Sequence, residues 1–239
     1  MLGETERWID RGWLRIAAIL FVLSALAGLL AANFDTFLFD RPLAATIRRF
    51  DDPFERVAYV LNEKQAIVAI LAFASAAIVL TARHRVHIPL LFVFAGALRP
   101  LLSELKTLVD RPRPAGDFPR LDEVFDSSFP SGHVMTVAMF FGLWFILAPQ
   151  ILPPRYVVAA RVVAAAVIVL TALSRVWAGV HWPSDTAGSL LWVATVLAVV
   201  LAFSPTFLRF CAWTERQSLA LWRLRTPGRH RPTVDRDRV

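Results

Sequence analysis

The 239-residue chain contains one cysteine, Cys211. An intrachain disulfide and any multi-cysteine zinc or iron–sulfur site are therefore excluded. Five histidines leave little material for a histidine-rich metal centre. Lysine is nearly missing: Lys64 and Lys106 are the only two among 26 cationic residues. Charge of either sign is scarce, at 19% of residues, and whole stretches carry none. Those stretches are apolar. Hydrophobic residues make up 56% of the chain and the mean hydropathy is +0.54. Soluble domains are usually ~45–50% apolar. A soluble globular domain is excluded, and so is intrinsic disorder. The net charge of +7 would suggest nucleic acid in a soluble protein. Here the placement of charge matters more than its sum, and no nucleic-acid partner is expected.

A helix needs roughly 20 apolar residues to cross a bilayer core of about 30 Å. Six segments qualify, at about 14–34, 65–82, 86–103, 134–153, 157–175 and 185–207. The third carries Arg99 near its end and the fifth Arg161 near its start. Arginines so placed can send their guanidinium groups to the interface, so both remain spans. The first is longer than the apolar region of a signal peptide and reads as a retained span. The expected fold is all-α: a polytopic membrane protein with six transmembrane helices in one bundle over residues 1–208.

Six spans put both termini on one side. That side holds 15 of the 26 cationic residues but only 6 of the 19 acids. The positive-inside rule makes it cytoplasmic. The arginine-rich tail, 209–239, begins with the aromatics Phe210, Trp213 and Trp222. It reads as a cytoplasmic interfacial helix on anionic headgroups, fraying after Pro227 and Gly228. In the first outer loop, Asp40-Arg41-Pro42 and Asp52-Pro53 each look like a helix N-cap followed by proline in the first turn. Two short helices lying on the membrane surface are expected there.

Polar residues outside the tail gather in two segments that the topology delivers to the outer face. The first runs from Lys106 to His133, after the third span. Within it, Lys106 is followed after six residues by Arg113-Pro114, and Pro130-Ser131-Gly132-His133 closes it. The second follows the fifth span and reads Ser174-Arg175, five residues, His181, three residues, Asp185. Lys106, Arg113 and Arg175 bring three cations, and arginine's planar fork matches phosphate oxygens in pairs. Ser131 and Gly132 open a helix whose unpaired N–H groups and dipole favour an anion. Together they make a cradle for a phosphoryl group and its more highly charged transition state.

His181 and Asp185 are four residues apart, on one face if the segment is helical. The carboxylate could then hold the imidazole N–H and fix its tautomer. Such an imidazole is a nucleophile toward phosphorus. His133 could protonate the leaving alkoxide and then activate water. The scheme needs no metal or other cofactor. Taken singly, each feature has a plainer reading: arginines on headgroups, Pro-Ser-Gly as a helix entry, a hydrogen-bonded interfacial histidine. Jointly the plain readings weaken, because all three clusters fall at outer helix ends.

These three elements, in this order and spacing, resemble the signature of the type 2 phosphatidic acid phosphatase family, the lipid phosphate phosphatases. One ambiguity is the doubled Arg111-Pro112-Arg113-Pro114, where the six-residue spacing selects Arg113. The resemblance implies that Lys106, Arg113 and Arg175 bind phosphate, with Ser131 and Gly132 adding hydrogen bonds. It makes His181 the nucleophile, Asp185 its orienting partner and His133 the leaving-group acid, without a metal. It further implies a bacterial cytoplasmic membrane and a lipid-linked phosphate monoester or diphosphate as substrate, handled at the outer face. Phosphatidylglycerol phosphate, phosphatidic acid and undecaprenyl diphosphate all present this headgroup chemistry.

A phosphotransferase passing the group to another lipid would use the same residues. A six-span transporter is the non-enzyme alternative, but it predicts ionisable residues at mid-depth, and the spans carry no acid or lysine there. Around the core signature, Asp117, Asp122, Glu123 and Asp126 read as a solvated loop face. Trp177 and Trp182 read as part of the aromatic belt. Arg99 is expected to pair with Glu104 or a headgroup.

Overall fold

The computed structural model describes residues 8–50, 54–62, 75, 85–114 and 127–225. Among them the chain is all-α. Asp10 caps α1 (Arg11–Asn33), its Oδ1 accepting from the N–H groups of Gly12 and Trp13, the satisfied N-terminus that an aspartate cap provides. Two short helices follow, α2 (Asp40–Ile47) and α3 (Phe54–Asn62). Then come α4 (His87–Ser103), the single-turn α5 (Leu105–Val109) and α6 (Gly132–Ile151). Proline at the first turn opens α7 (Pro154–Trp177) and again α8 (Pro183–Arg225), where its missing N–H costs no hydrogen bond.

Five stretches are long and apolar enough to cross a membrane: α1, α4 with α5, α6, α7, and Pro183–Thr214 of α8. The second expected span, 65–82, lies outside the described residues apart from Ser75, as does the acidic loop segment 115–126. The chain is a polytopic membrane fold. Ile19 and Leu29 on α1, and Val158 and Val162 on α7, are all more than half exposed. An apolar surface on that scale requires lipid rather than water around it.

The bundle is organised around α8. In its most apolar stretch 67% of residues are buried, against 17% in α7. One contiguous core joins Ile88, Leu91 and Ala95 of α4, Met135, Leu143 and Leu147 of α6, and Trp192, Val196 and Val200 of α8. Between α1 and α8 a buried hydrogen bond links the Ser24 and Thr195 hydroxyls at 3.0 Å. Lower down, the Asp10 N–H donates to the Ala202 carbonyl at 2.8 Å, and the Thr206 hydroxyl donates to the Trp8 carbonyl. Pro205 lies inside α8 at this level. Lacking an N–H and crowding the preceding turn, a proline frees carbonyls there, and the start of α1 supplies a donor.

The two ends of the bundle are distinct. The C-terminal ends of α4–α5 and α7, the N-terminal ends of α6 and α8, and α2 and α3 share one end; there the rings of Phe54 and Trp177 meet edge to face. The start of α4 is at the other end, where Arg85 donates to the Gln150 carbonyl. The last helix does not stop at the expected edge of the span near residue 208. It continues to Arg225, 43 residues in all, or about 65 Å at 1.5 Å per residue.

Candidate active site

The site is assembled at the shared end from three backbone segments that hydrogen bonds strap together. The Ser128 N–H donates to the Arg111 carbonyl at 2.8 Å, and the Arg111 N–H to the Ser127 hydroxyl at 2.9 Å. The Ser131 N–H donates to Ser189 Oγ at 2.8 Å, and that hydroxyl donates to the Asp185 carbonyl at 2.6 Å. So the Lys106–Pro114 segment, the entry to α6 and the entry to α8 form one unit. Phe129, 1% exposed, wedges it. Its ring occupies the space where Gly188 would carry a side chain; a Cβ there would stand 2.2 Å from the ring. Ahead of His181 the chain turns at Gly179, whose φ of 72° is the left-handed region glycine enters without strain.

His181 is 2% exposed. Its Nδ1 lies 2.6 Å from the Ser128 carbonyl and 3.8 Å from Asp185 Oδ2. A carbonyl only accepts, so Nδ1 carries the proton and Nε2 keeps a lone pair. The expected hydrogen bond from the ring to Asp185 is thus replaced by one to backbone, with the carboxylate at ion-pair distance. Burial pushes the His181 titration down to about 4. Arg175 and Arg113 push the same way, opposed by Asp185. The ring is therefore neutral across the physiological range.

Asp185 is engaged elsewhere. Its Oδ2 accepts from the Trp182 N–H at 2.7 Å and its Oδ1 from Arg111 Nη1. Arg111 is 1% exposed. It donates from Nη2 to Asp40 Oδ2 at 2.9 Å, from Nη1 to the Ser184 hydroxyl at 2.8 Å, and from Nε to the Asp35 carbonyl at 3.2 Å. Asp40 also accepts from the Ser184 N–H at 2.9 Å and from the Ser184 hydroxyl at 2.7 Å. Asp40, Arg111 and Asp185 have no exposed side-chain surface. Buried charges persist only when paired and hydrogen-bonded in this way. The cap pattern predicts Asp40 as a surface N-cap, and the six-residue spacing from Lys106 passes over Arg111. In the structure α2 begins at Asp40 itself, and that carboxylate anchors α2 to the start of α8. The signal available was Arg111-Pro112 beside the signature arginine; Asp40 offered none beyond its cap pattern.

The other residues singled out from the sequence fall around this core. Lys106 Nζ donates to the Ser127 carbonyl at 3.2 Å, next to the carbonyl that holds His181. Arg113, half-buried, donates from Nη1 to the Val180 carbonyl at 2.8 Å, one residue before His181. Arg175 is 6% exposed, in the last turn of α7. Ser131 is the N-cap residue of α6, yet its hydroxyl makes no capping bond. That buried Oγ has no hydrogen-bond partner among the described residues, an uncommon state for a buried hydroxyl. Gly132 and His133 occupy the first turn of α6, with His133 half-buried.

One expectation is corrected, the pairing of Arg99 with Glu104, and Gly132 and the two tryptophans gain definite neighbours. A Cβ on Gly132 would stand 3.2 Å from Arg99 Nη2. The glycine makes room for that guanidinium as well as for any anion at the helix end. Arg99 itself binds Thr136 Oγ1 at 3.0 Å, Ser103 Oγ at 2.6 Å and the Gly132 carbonyl at 3.2 Å, rather than Glu104. Trp177 and Trp182 do more than float at an interface: their indole N–H groups donate to the Phe50 and Pro112 carbonyls at 3.0 and 3.2 Å. They fasten the outer segments to the bundle. Among the described residues, no three His, Cys, Asp or Glu side chains cluster so as to hold a metal ion.

Comparison with known proteins places this arrangement. The family model described as the PAP2 superfamily matches residues 88–209, which include every motif segment above. Phosphatidylglycerophosphatase B of Bacillus subtilis is 32% identical over 123 residues, covering 51% of this chain and 59% of the relative. Lipid A 1-phosphatase of Rhizobium etli is 35% identical over 121 residues, covering 46% and 47%. The chain thus matches about half the length of these curated relatives. The crystal structure of a transmembrane PAP2 type phosphatidylglycerolphosphate phosphatase from Bacillus subtilis aligns with a TM-score of 0.58 at 22% identity. It covers 78% of this chain and 94% of that one, a likeness of fold.

Proposed function

The chain belongs to the PAP2 superfamily, and we propose that it is an integral membrane phosphatase hydrolysing a lipid-linked phosphate monoester or diphosphate. The observation that carries this reading is the tautomer of His181. With Nδ1–H committed to the Ser128 carbonyl, the lone pair on Nε2 is the reactive one. Nε2 attacks phosphorus, the bond from phosphorus to the lipid oxygen breaks, and His133 gives that oxygen a proton. His133 then takes a proton from water as the water oxygen attacks phosphorus and the N–P bond breaks. Inorganic phosphate leaves, and both histidines return to their starting states. No metal takes part.

Asp185 contributes through charge. Once Nε2 carries phosphorus the imidazole is cationic, and a carboxylate 3.8 Å away stabilises it. Lys106, Arg113 and Arg175 receive the phosphoryl oxygens, joined by the Ser131 hydroxyl and the N–H groups that open α6. The names of the relatives support a lipid phosphate substrate of the kind found in phosphatidylglycerol phosphate or lipid A. Phosphatidic acid and undecaprenyl diphosphate share the reacting group.

For topology, the reading is six spans, with 65–82 as the second. The site then opens on the extracytoplasmic face of a bacterial cytoplasmic membrane, with both termini cytoplasmic. The position of α3 at the site end and of the α4 start at the opposite end supports an added crossing between them. A reporter fused to the C-terminus should be active only in the cytoplasm; a periplasmic signal would reverse the sidedness.

The function is tested by phosphate release. Protein purified in detergent should free inorganic phosphate from a lipid phosphate in excess EDTA, and vanadate should inhibit it. His181→Ala should lower turnover at least ~10³-fold, as loss of a nucleophile does. Full activity in that variant, or dependence on added metal, would refute the mechanism.

A further inference from the structure

A cleft of about 420 Å³ lies beside the candidate site, between α2 and the Pro112–Pro114 segment. Arg41, Ala44, Ala45 and Arg48 line one wall, and Arg113 and Trp182 the other. Arg41, Ala44 and Ala45 of α2 and Arg48, its C-cap residue, recur at the three- and four-residue spacing that puts them on one helix face. Two arginines thus flank two alanines, leaving room between the cations. Asp35 is the one acid in the lining, so the cleft is cationic in balance. The Trp182 indole N–H is already spent on the Pro112 carbonyl; its ring and the prolines supply a stiff wall.

Position makes this cleft more than a charged surface. Arg113 belongs both to it and to the phosphate cradle, where its bond to the Val180 carbonyl sets it beside His181. The α2 wall is not loose, because Asp40 at its first residue is locked to Arg111 and Ser184. The wall that carries Arg41 is thereby tied to the start of α8, the helix that carries Asp185. One phosphoryl group is already matched by Lys106, Arg113 and Arg175. Arg41 and Arg48 add two further cations to the lining of the cleft that Arg113 shares.

We infer that this cleft is a second phosphate subsite, and that the substrate is a lipid whose headgroup carries two phosphoryl groups, one cleaved beside His181 and the other held by Arg41 and Arg48. The inference rests on the lipid phosphatase reading above. The shared chemistry is a second phosphate near the scissile one. It could be the inner phosphate of a diphosphate or the phosphodiester of a bisphosphate lipid.

The test compares kcat/KM of the full chain in detergent on three lipids: phosphatidic acid, phosphatidylglycerol phosphate and a polyprenyl diphosphate. The wild type should favour at least one of the latter two over phosphatidic acid by tenfold or more, and which one identifies the source of the second phosphate. In R41Q/R48Q that ratio should fall at least tenfold, through KM. A ratio that is unchanged, or an equal loss on all three lipids, would overturn the subsite; equal loss would mark Arg41 and Arg48 as contacts to bulk headgroups or to the fold. Should R41Q/R48Q not yield folded protein, wild-type inhibition decides: inorganic pyrophosphate should compete at least tenfold better than phosphate, and equal inhibition constants would overturn the proposal. If the wild type hydrolyses none of the lipids, the phosphatase reading falls and this inference with it. If it hydrolyses them without preference, only the subsite falls.

Discussion

Arg111 and Arg113 are separated by one proline and meet opposite surroundings. Arg111 is sealed inside the protein, with each guanidinium nitrogen donating to a protein acceptor: Asp40, Asp185 with Ser184, and the Asp35 carbonyl. Arg113 is half-buried, borders a cleft and sits one residue's carbonyl away from the candidate nucleophile. Identical side chains are thereby divided between two tasks. The first holds a carboxylate in place and has no donor nitrogen to spare for a ligand. The second is placed to meet one. Burial and partners separate them, and residue type cannot.

The sharpest way to break this contrast is Arg111→Gln. It leaves Asp40 and Asp185 buried with no cation, and breaking a buried pair costs about 3–5 kcal/mol. The melting temperature should fall steeply, and activity should fall at least ~100-fold in whatever folds. Thermal unfolding in detergent and phosphate release would read both. Next is Gly188→Ala. The added Cβ drives into the Phe129 ring, an overpacking of about 1–3 kcal/mol. It also moves the Ser128 carbonyl off His181, so kcat should drop by roughly tenfold, a loss smaller than for Arg111.

Arg113→Gln should separate stability from activity. Its stability should stay within about 0.5 kcal/mol of wild type, while kcat/KM falls by about 10–100-fold. A stability loss equal to that of Arg111→Gln would erase the distinction between the two arginines. A further effect concerns pH. His181 titrates near 4 when folded, below its value of about 6.5 in the unfolded chain. The unfolded chain thus takes up the proton first. Stability from this group is complete above about 6.5 and is lost progressively as pH falls through 4. The neutral nucleophile should likewise persist down to that range. Because Arg113 helps to depress this titration, its removal should move the acid limb of kcat/KM upward. An unmoved limb would place Arg113 outside the field of the ring.

The apolar runs and the spaced motif residues were readable because each is a local pattern. Five of the spans stand as helices among the described residues, and two short helices do follow the first span, although Asp40 begins the first of them rather than capping it and Asp52-Pro53 lies outside the described residues. Lys106, Arg113, Ser131, Arg175, His181 and Asp185 gather at one end because the crossings alternate, which hydropathy alone conveys. The partners were not readable. Asp40 and Arg111 are 71 residues apart, and the same Asp-Arg-Pro string can open an exposed helix or anchor a buried one. The hold on His181 comes from a backbone carbonyl, which no residue type announces. Nor does Gly132 declare whether it clears space for an anion or for Arg99. Local spacing names the groups that meet; tertiary packing decides which of them bond.

The stitch between the start of α1 and the Pro205 level of α8 has a mechanical consequence. Trp8 and Asp10 splint the longest rod in the molecule at the turn its proline has weakened. The N-terminal tip of that rod holds Asp185. A chain trimmed to begin at Gly12 would lose the splint, and the hinge so released would let catalytic geometry drift from a point some thirty ångströms away, about 20 residues along the axis.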